Sequence, residues 1–333
     1  MKKICVGLTY DLKTDYKFKE DDPPDANAEF DYPKTVEDIT LALEELGFKT
    51  KKIGNVHNLL KNLNNLDVDI VFNIAEGKDT RNRESQVPII LETLGIPYVG
   101  SDGLTLGITL DKVTTKKILI AEGIPTPKFF EAKTPDYINV DHLRFPLIVK
   151  PRYEGSSKGL DEKAKVENES ELKNRISYII STYRQSALVE EFIRGWEFTV
   201  AIVGNENPEV FAPVQTKIDG REKVGDLFYT FRHLIEQERI EYIFPPLISE
   251  DLQKKMMDIA LKVYEILDCR DFGRVDFRMD EEGNPYVLEI NPLPCLSKHD
   301  AFNIIAEKIG IGYTQMIGKI IFSALERYNL KKE

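Results

Sequence analysis

The chain has 333 residues, with 45 lysines and arginines against 56 aspartates and glutamates, which gives a formal net charge of −11 at pH 7. This length predicts two or three packed subdomains, and 42% hydrophobic residues exclude disorder as the main state. The acidic balance argues against a nucleic-acid-binding protein, whose binding face is usually basic, although it leaves room for a local basic pocket for phosphates.

Cysteine usage and apolar runs indicate the compartment. Cys5, Cys269 and Cys295 are too few and too scattered for a disulfide framework, and the absence of a CxxC pair argues against a zinc or redox site. The first apolar run, Ile4 to Leu8, is too short for the core of a signal peptide and predicts a buried strand instead. No run approaches the roughly 18 apolar residues of a membrane span. We therefore expect a cytoplasmic protein with neither a membrane nor a nucleic-acid partner.

The first third of the chain alternates short apolar runs with helical patterns. Residues 3–10 predict a strand, and residues 35–46 have apolar side chains at helical spacing before Gly47 ends the helix. Residues 48–54 and 68–77 predict two further strands with a helix between them. Strands that alternate with helices are typical of a parallel, doubly wound sheet.

An acidic, proline-containing stretch at residues 19–32 separates the first strand from the first helix. A loop of this length is uncommon unless it is functional or disordered. We interpret it as a candidate lid over a substrate.

The remaining patterns predict two further units that mix helices and strands. We place an N-terminal α/β domain at residues 1–108, a central subdomain at 109–190 and a C-terminal subdomain at 191–333. The elements predicted beyond residue 100 are helices at 109–122, 170–183 and 250–267 and strands at 145–151, 187–192, 198–204 and 209–218.

A predicted hairpin at residues 272–292 carries the clearest chemical signal. Because side chains alternate along a strand, Arg274 and Asp276 share one face of its first strand, and Glu289 and Asn291 share one face of its second. If the two polar faces coincide, three hard oxygen ligands lie together beside an arginine, a set that suits Mg²⁺. The alternative is a solvated sheet face that carries ordinary charges.

A lysine and a glycine-rich loop form the second signal. Lys150 ends an apolar strand, where it can point a positive charge into a cleft, and the loop at residues 154–159 offers backbone N–H groups and hydroxyls to phosphate oxygens. The loop lacks the GxxxxGK[ST] spacing, which excludes a Walker-type site. The alternative is a flexible polar turn.

Paired carboxylates form a third and weaker signal. Glu190 and Glu191 lie at the end of a strand that joins two subdomains, with Glu197 shortly after, and they can meet a ligand's amino or hydroxyl groups. The alternative is surface charge. The four histidines are isolated, and neither a GxSxG elbow nor a GxGxxG fingerprint is present, so serine-hydrolase and nicotinamide-dehydrogenase chemistry have no support.

In this order the segments resemble the ATP-grasp ligases, specifically the D-alanine–D-alanine ligase group. The resemblance runs from about Gly95 to the C-terminus. It implies an α/β (α+β) ATP-grasp fold, with an N-terminal parallel-sheet domain and two α+β subdomains that bind ATP between them. The matching segments are Asp111-Lys112, Lys150-Pro151, EGSSKG at 154–159, VEEFIRGWEFTV at 189–200, GRVDF at 273–277 and LEINPLP at 288–294.

The resemblance also implies residue roles. Lys112 and Lys150 would hold the ATP phosphates, and Arg274 would stabilise developing negative charge, helped by backbone N–H groups near Cys295. Mg²⁺, as two ions and with Mn²⁺ as an alternative, would be the cofactor. The other implied residues are Glu154, Gly155, Ser156, Ser157 and Gly159 over the phosphates, Glu190, Glu191, Phe192 and Ile193 at the adenine, Glu197 at the ribose, and Asp276, Glu289 and Asn291 at the metal.

The implied reaction has two steps. A carboxylate attacks the γ-phosphoryl group of ATP to give an acyl phosphate, and an amine then displaces phosphate to form an amide or dipeptide. This mechanism requires no covalent nucleophile, only metal, cations and positioning. The resemblance also implies a homodimer and small-molecule carboxylate and amine substrates.

The segments that would bind the amino acids depart from the family pattern. The family's Glu-x-x-Val-Ser stretch after the first strand is absent, and Asp300 stands where a small hydroxyl would receive a substrate carboxylate. We therefore predict a ligase whose substrates are not two D-alanines, with arginines meeting an acidic substrate. The candidate substrate residues are Arg81, Arg83, Glu84, Tyr229, Arg232, Cys295, Lys298 and Asp300.

Three alternatives remain open from the sequence. The first is a genuine D-alanine–D-alanine ligase with unusual recognition residues. The second is an ATP-grasp phosphotransferase that stops at a phosphorylated product. The third is a non-catalytic, ATP-binding regulatory protein, against which the intact set of lysines, arginine and metal ligands argues.

Overall fold

The computed structural model describes residues 3–136, 138 and 140–330. Its N-terminal part is a four-stranded parallel sheet with strand order β2-β1-β3-β4 and helices on both faces, which confirms the predicted doubly wound sheet. All five residues of β3 are buried, as expected for a central strand between two helical layers. The elements are β1 (Cys5–Tyr10), α1 (Pro33–Glu45), β2 (Lys49–Gly54), α2 (Val56–Lys61), β3 (Ile70–Ile74), α3 (Gln86–Thr93) and β4 (Tyr98–Val99).

A second, antiparallel sheet follows two helices. Its strand order is β5-β8-β6-β7, and α6 packs against it through Leu172, Ile176 and Ile179. The elements of this part are α4 (Gly103–Leu110), α5 (Lys112–Ala121), β5 (Phe129–Ala132), β6 (Leu147–Pro151), β7 (Lys165–Val166), α6 (Glu169–Tyr183) and β8 (Ala187–Glu191).

The third sheet is antiparallel and has six strands, with the order β12-β11-β9-β13-β14 and β10 paired to β9. Helix α8 covers one of its faces with an apolar stripe that includes Met256, Ala260 and Val263. The elements are β9 (Trp196–Val203), β10 (Glu209–Val210), β11 (Val214–Ile218), α7 (Phe231–Ile235), β12 (Ile240–Ile243), α8 (Glu250–Ile266), β13 (Phe272–Met279), β14 (Pro285–Asn291), α9 (Ala301–Lys308) and α10 (Gly312–Arg327).

Two predicted elements are divided in the structure. The helix predicted at 109–122 is interrupted at Asp111, which leaves helical geometry and accepts the backbone N–H of Thr114 at 3.1 Å as the N-cap of α5. The strand predicted at 209–218 becomes β10 and β11, because Pro213 lies between them and has no N–H to continue the ladder. The first division makes Lys112 the first residue of a new helix.

Two helices pack against a sheet other than the one formed by their neighbours in the sequence. Leu119 of α5 belongs to the same apolar cluster as Val275 of β13, so this helix packs against the third sheet. Ile317 and Ile320 of α10 return to the N-terminal sheet, where they meet Ile39 of α1. The boundaries at residues 108 and 190 stay a prediction, and the packing places α5 with the C-terminal core. Within the described residues, no helix has the length and apolarity needed to cross a bilayer.

The contact between α10 and the N-terminal sheet gives a test of this arrangement. We expect Ile320→Ala to lower the free energy of unfolding by about 2–5 kcal/mol, because Ile320 is fully buried and the substitution leaves a cavity. Ile120→Ala is the control, since Ile120 is 57% exposed. Urea denaturation measures both variants, and a loss for Ile320→Ala no larger than that of the control would contradict the assigned packing.

Candidate active site

The β13–β14 hairpin brings the predicted ligand residues together. Asp276 lies directly opposite Glu289, and Arg274 lies opposite Asn291. Side chains that face each other across an antiparallel pair lie on the same side of the sheet, so the two polar faces do coincide. A bulge between Asp276 and Phe277 shifts the register immediately beyond this group.

Arg274 is held rigidly on this face. Its Nε and Nη2 donate to Asp276 Oδ1 and Oδ2 at 3.0 and 2.9 Å, and Thr199 Oγ1 donates to the same carboxylate at 2.7 Å. Burial alone would lower the pKa of the guanidinium. The charge of Asp276, and after it that of Asp300, raises the pKa by more than burial lowers it, so Arg274 stays charged. A fixed, permanent cation of this kind can stabilise negative charge that develops beside it.

Lys112 connects helix α5 to the hairpin. Its Nζ lies 2.8 Å from Glu289 Oε2, and Arg152 fixes the start of the helix by donating to both oxygens of Asp111 at 2.6 and 2.5 Å. Burial alone would raise the pKa of Glu289, but Lys112 and Lys150 outweigh it and lower the pKa to about 2. Glu289 is therefore an anion that pairs with Lys112 and is further stabilised by the charge of Lys150.

Glu190 is fully buried between two lysines on the other side of the cleft. Lys150 of β6 forms an ion pair with Glu190 Oε1, and Lys116 Nζ lies 2.6 Å from Oε2. Burial lowers the pKa of Lys116 to about 8 although Glu190 opposes this. Lys116 was missed in the sequence, yet its position one helical turn after Lys112 is a signal that both lysines can reach one cleft.

The loop at residues 154–159 has left-handed backbone geometry at three positions. Ser156 and Ser157 have φ values of 45° and 55°, and Gly159 has 73°. A Cβ on Gly159 would lie 2.6 Å from Pro151, so only glycine fits there. Strained backbone of this kind is concentrated at functional sites.

The stretch at residues 19–32 lies directly on this loop. Glu29 Oε1 accepts the Gly155 N–H at 2.6 Å, and the same carboxylate pairs with Lys158 at 3.1 Å and with Arg83. Burial would raise the pKa of Glu29, but Arg83 and Lys158 lower it to about 2. No local pattern indicates these contacts, because the partners are more than 50 residues apart in the sequence. That the stretch covers a substrate stays a prediction.

A second residue of the same stretch extends the contact. Asp25 Oδ2 accepts the Gly159 N–H at 2.7 Å and the hydroxyl of Tyr183 at 2.8 Å. Asp25 is 3% exposed, although the sequence around it is strongly polar. The stretch therefore holds both ends of the glycine-rich loop through carboxylates.

Arg278 organises the segment that the resemblance assigns to adenine and ribose. Its Nη1 pairs with Glu197 at 3.0 Å, its Nε donates to the carbonyl of Ile193 at 3.0 Å, and its guanidinium stacks 4.9 Å from the ring of Phe192. Glu191 turns elsewhere, accepting the backbone N–H of Arg144 at 2.9 Å. Arg278 was also missed, although it continues the alternation of Arg274 and Asp276 on β13.

Protein carboxylates already pair with Arg83 and Arg232, and the expectation that these arginines meet an acidic substrate stays a prediction. Arg83 is 5% exposed and pairs with Glu29, and its Nη2 also lies 3.7 Å from Glu84 Oε1. Arg232 lies on exposed helix α7, 2.8 Å from Glu236. No ion pair to Arg81 occurs within the described residues, and its role stays a prediction.

The remaining substrate candidates gather around Cys295. Its side chain is exposed to solvent, and its Sγ lies 3.8 Å from Asp31 Oδ1. Burial and then Asp300 raise the pKa of Tyr229. Lys298 points away, with Nζ 3.2 Å from Asp38. Asp31 was missed in the sequence, and only its place just before α1 could have indicated it.

The donor set of the hairpin fits a hard cation. Among the described residues no group of three or more histidines, cysteines, aspartates or glutamates is arranged to hold a metal. Asp276, Glu289 and Asn291 provide two carboxylates and an amide oxygen, which suits an ion that takes its other ligands from phosphates and water. Asn291 Oδ1 accepts the Leu293 N–H at 3.0 Å, which fixes its orientation.

Comparisons with known sequences indicate the family. The family model described as D-ala D-ala ligase C-terminus matches residues 118–322. An uncharacterized protein of Sinorhizobium fredii is 35% identical over 303 residues, 89% of this chain and 88% of the relative. The D-alanine–D-alanine ligase of Carboxydothermus hydrogenoformans is 33% identical over 304 residues, 88% of this chain and 93% of the relative.

Solved structures share the fold. The D-alanine–D-alanine ligase of Bacillus anthracis complexed with ATP aligns with a TM-score of 0.76 at 23% identity, covering 98% of this chain and 99% of that chain. The VanG D-Ala:D-Ser ligase of Enterococcus faecalis aligns with a TM-score of 0.71 at 20% identity, covering 97% and 100%.

Fold and site together define the class: the protein is an ATP-grasp, ADP-forming ligase. Within that class, the family match and the relatives are specific. The chain belongs to the D-alanine–D-alanine ligase family.

The buried Glu29 provides a test of the contact between the N-terminal stretch and the glycine-rich loop. We expect Glu29→Gln to lower the free energy of unfolding at pH 7 by about 3–5 kcal/mol, because Arg83 and Lys158 lose a buried counter-charge. The pKa of Glu29 falls from 4.5 to about 2 on folding, so this stability is fully present above pH 4.5 and is lost as the pH falls towards 2.

Denaturant unfolding at pH 7 and pH 3 measures the effect, with Glu20→Gln as the control on the exposed part of the same stretch. The difference in the free energy of unfolding between wild type and Glu29→Gln should be smaller at pH 3 than at pH 7. An equal difference at both pH values would show that the carboxylate charge is not what stabilises the contact.

Proposed function

We propose that the protein joins a carboxylate to an amine through an acyl phosphate formed from ATP. The observation that carries this proposal is a set of charges on one sheet face: Lys112 pairs with Glu289, Lys150 also lowers the pKa of that carboxylate, and Arg274 lies on the same face. This set provides cations for phosphates and for a developing oxyanion without a protein nucleophile.

Each basic residue has a definite part in this proposal. Lys112 and Lys150 bind phosphate oxygens of ATP, and the glycine-rich loop, whose Gly155 and Gly159 N–H groups donate to Glu29 and Asp25, closes over them. Asp276, Glu289 and Asn291 would hold Mg²⁺, with Mn²⁺ as an alternative, and a bound ion supplies positive charge against the phosphate oxygens. Arg274 stabilises the negative charge that develops when the substrate carboxylate is phosphorylated and when the amine attacks.

The adenine end of the cleft is organised by buried ion pairs. Lys116 keeps Glu190 anionic, and Arg278 ties Glu197 to the carbonyl of Ile193, so the segment at residues 190–197 presents fixed polar groups to a nucleotide. Fixed groups lower the entropy lost on binding.

The substrates, we infer, are not two D-alanines. The feature that supports this is Asp300, whose carboxylate lies near Arg274 and would repel the carboxylate of an amino-acid acceptor. The competing candidate is a genuine D-alanine–D-alanine ligase, which the 33% identity to the Carboxydothermus hydrogenoformans enzyme favours. A homodimer in the cytoplasm remains a prediction from the resemblance.

The testing experiment is ADP release with Mg²⁺ and ATP across D- and L-amino acids, singly and in pairs, with products identified by mass spectrometry. ADP release that depends on an amine as well as a carboxylate supports the ligase, whereas ADP release with one acceptor alone supports a phosphotransferase. ADP and a D-Ala-D-Ala mass with D-alanine alone would establish the competing candidate. Bound ATP without turnover in any pair would favour a regulatory protein.

Glu289 tests the metal assignment. We expect Glu289→Gln to reduce ADP release about 100-fold or more while the circular dichroism spectrum stays unchanged, because the amide keeps the shape of the side chain but removes the negative charge that stabilises a divalent cation. Glu281→Gln is the control, since Glu281 lies on the exposed turn of the same hairpin, 2.6 Å from Lys223. ADP release by Glu289→Gln at the wild-type rate would contradict the assignment of Glu289 as a metal ligand.

Lys150 tests the phosphate assignment. We expect Lys150→Ala to weaken ATP binding about 10- to 100-fold, as measured by calorimetry, because a charge-assisted hydrogen bond to phosphate is lost. Lys163→Ala is the matched control, since Lys163 is exposed on the same subdomain. Equal ATP affinity in the two variants would place the phosphates elsewhere.

A further inference from the structure

One face of the second sheet carries a group of ion pairs whose charges do not balance. Antiparallel pairing places Glu190 opposite Ile148, two residues before Lys150, so Lys150 and Glu190 share this face. Helix α5 adds Lys116, whose Nζ lies 2.6 Å from Glu190 Oε2, while Lys150 pairs with Oε1. Two lysines therefore share one carboxylate, and the group keeps one positive charge.

Glu190 depends on these two lysines. Its side chain is fully buried, and within the residues that the structure describes neither carboxylate oxygen accepts a hydrogen bond from a backbone N–H or a hydroxyl. Burial would raise the pKa of Glu190, but Lys116 and then Lys150 lower it, so the carboxylate stays ionised. Because a buried, unpaired carboxylate is costly, one of the two lysines must always remain with Glu190.

The two lysines differ in what they can reach. Lys116 keeps 1% of its side chain exposed, and its ammonium donates to Thr126 Oγ1 at 2.6 Å. The hydroxyl of Thr126 in turn donates to the carbonyl of Val287 on β14 at 2.8 Å. Lys150 ends β6 shortly before the glycine-rich loop and keeps 9% of its side chain exposed. Lys116 is therefore fixed in the interior, and Lys150 is the lysine of this group that a ligand can contact.

A phosphate that binds Lys150 changes the pairing of Glu190. When the ammonium of Lys150 turns to a phosphate oxygen, Glu190 still keeps Lys116 as its partner. Without Lys116, the same movement would leave a buried carboxylate unpaired, and Lys150 would have to stay with it. Lys116 thus determines how much of the positive charge of Lys150 a phosphate can use.

Building on the proposed binding of ATP phosphates by Lys150, we propose that Lys116 is a positioning residue, which holds Glu190 and thereby leaves Lys150 available to the phosphates. Lys116 itself does not contact the nucleotide. Its effect on ATP passes through the charge of Glu190, so it disappears when that charge is removed.

The test uses this dependence on the charge of Glu190. Lys116→Met removes the buried ammonium and keeps an unbranched side chain. The double variant Lys116→Met/Glu190→Gln removes both charges of the buried pair and leaves Lys150 charged. Lys117→Met, at an exposed position of the same helix, is the matched control. Calorimetry with Mg²⁺ present gives the Kd of ATP for each protein, and circular dichroism and urea unfolding show whether each variant is folded.

We expect Lys116→Met to weaken ATP binding about tenfold or more, because Lys150 becomes the sole partner of Glu190, and we expect the control to bind ATP like wild type. The double variant should bind ATP with nearly wild-type affinity. Equal affinity in wild type and Lys116→Met would overturn the inference. A double variant that binds ATP about tenfold more weakly than wild type would also overturn it, since the effect would then not pass through the charge of Glu190.

The double variant still decides if Lys116→Met does not fold, because it contains no unpaired buried charge. ADP release across the amino-acid pairs separates this inference from the ligase function. The expected pattern of ATP affinities without ADP release in any pair would support the role of Lys116 and count against the ligase. ADP release that requires an amine, together with equal ATP affinity in wild type and Lys116→Met, would support the ligase and overturn the role of Lys116.

Discussion

The ion pair between Lys112 and Glu289 is the contact on which the cleft depends. It joins the first residue of α5 to the middle of β14, two elements more than 160 residues apart in the sequence, and both side chains are largely withdrawn from water. Two charges in such a place are tolerated only as partners, since removing either leaves the other without compensation. The helix is interrupted at Asp111, whose carboxylate is held by Arg152. This interruption allows Lys112 to lie beside Glu289. A continuous helix through this position would change where the lysine points.

The same constraint bears on the proposed role of the lysines in phosphate binding, because both lysines are already paired. Lys112 and Lys150 both act on Glu289, and Lys150 also pairs with Glu190. A phosphate with a divalent cation can replace these pairings by an exchange in which each lysine keeps an anion and Glu289 keeps a cation. No buried charge is left alone at either stage, which keeps the electrostatic cost of exchange low. Paired lysines are therefore compatible with a binding site, and unpaired ones would be costly to maintain.

What the sequence could predict follows from how local each feature is. The hairpin was predicted with its ligands because alternation on two strands separated by a short turn fixes which side chains share a face, and Arg278 lay within reach of the same argument. The doubly wound sheet followed from alternating patterns, and the family resemblance supplied the fold. The contacts of Glu29 with Gly155 and Arg83 join segments 126 and 54 residues apart, and periodicity carries no information about such distances. The break at Asp111 was missed because a single aspartate within an apolar helical pattern reads equally well as an exposed helical residue.

The contacts of Arg83 bear on how the charges in the substrate region are interpreted. The sequence alone suggested that arginines would meet an acidic substrate, since a guanidinium matches a carboxylate. A substrate carboxylate at Arg83 would have to displace Glu29, whose pKa of about 2 reflects how strongly Arg83 and Lys158 hold its charge. Displacement would leave Glu29 buried and ionised beside Gly155, with fewer partners than before. The buried Glu29 and its two cationic partners therefore make Arg83 a residue that holds the N-terminal stretch against the glycine-rich loop, and its contact with a substrate stays a prediction.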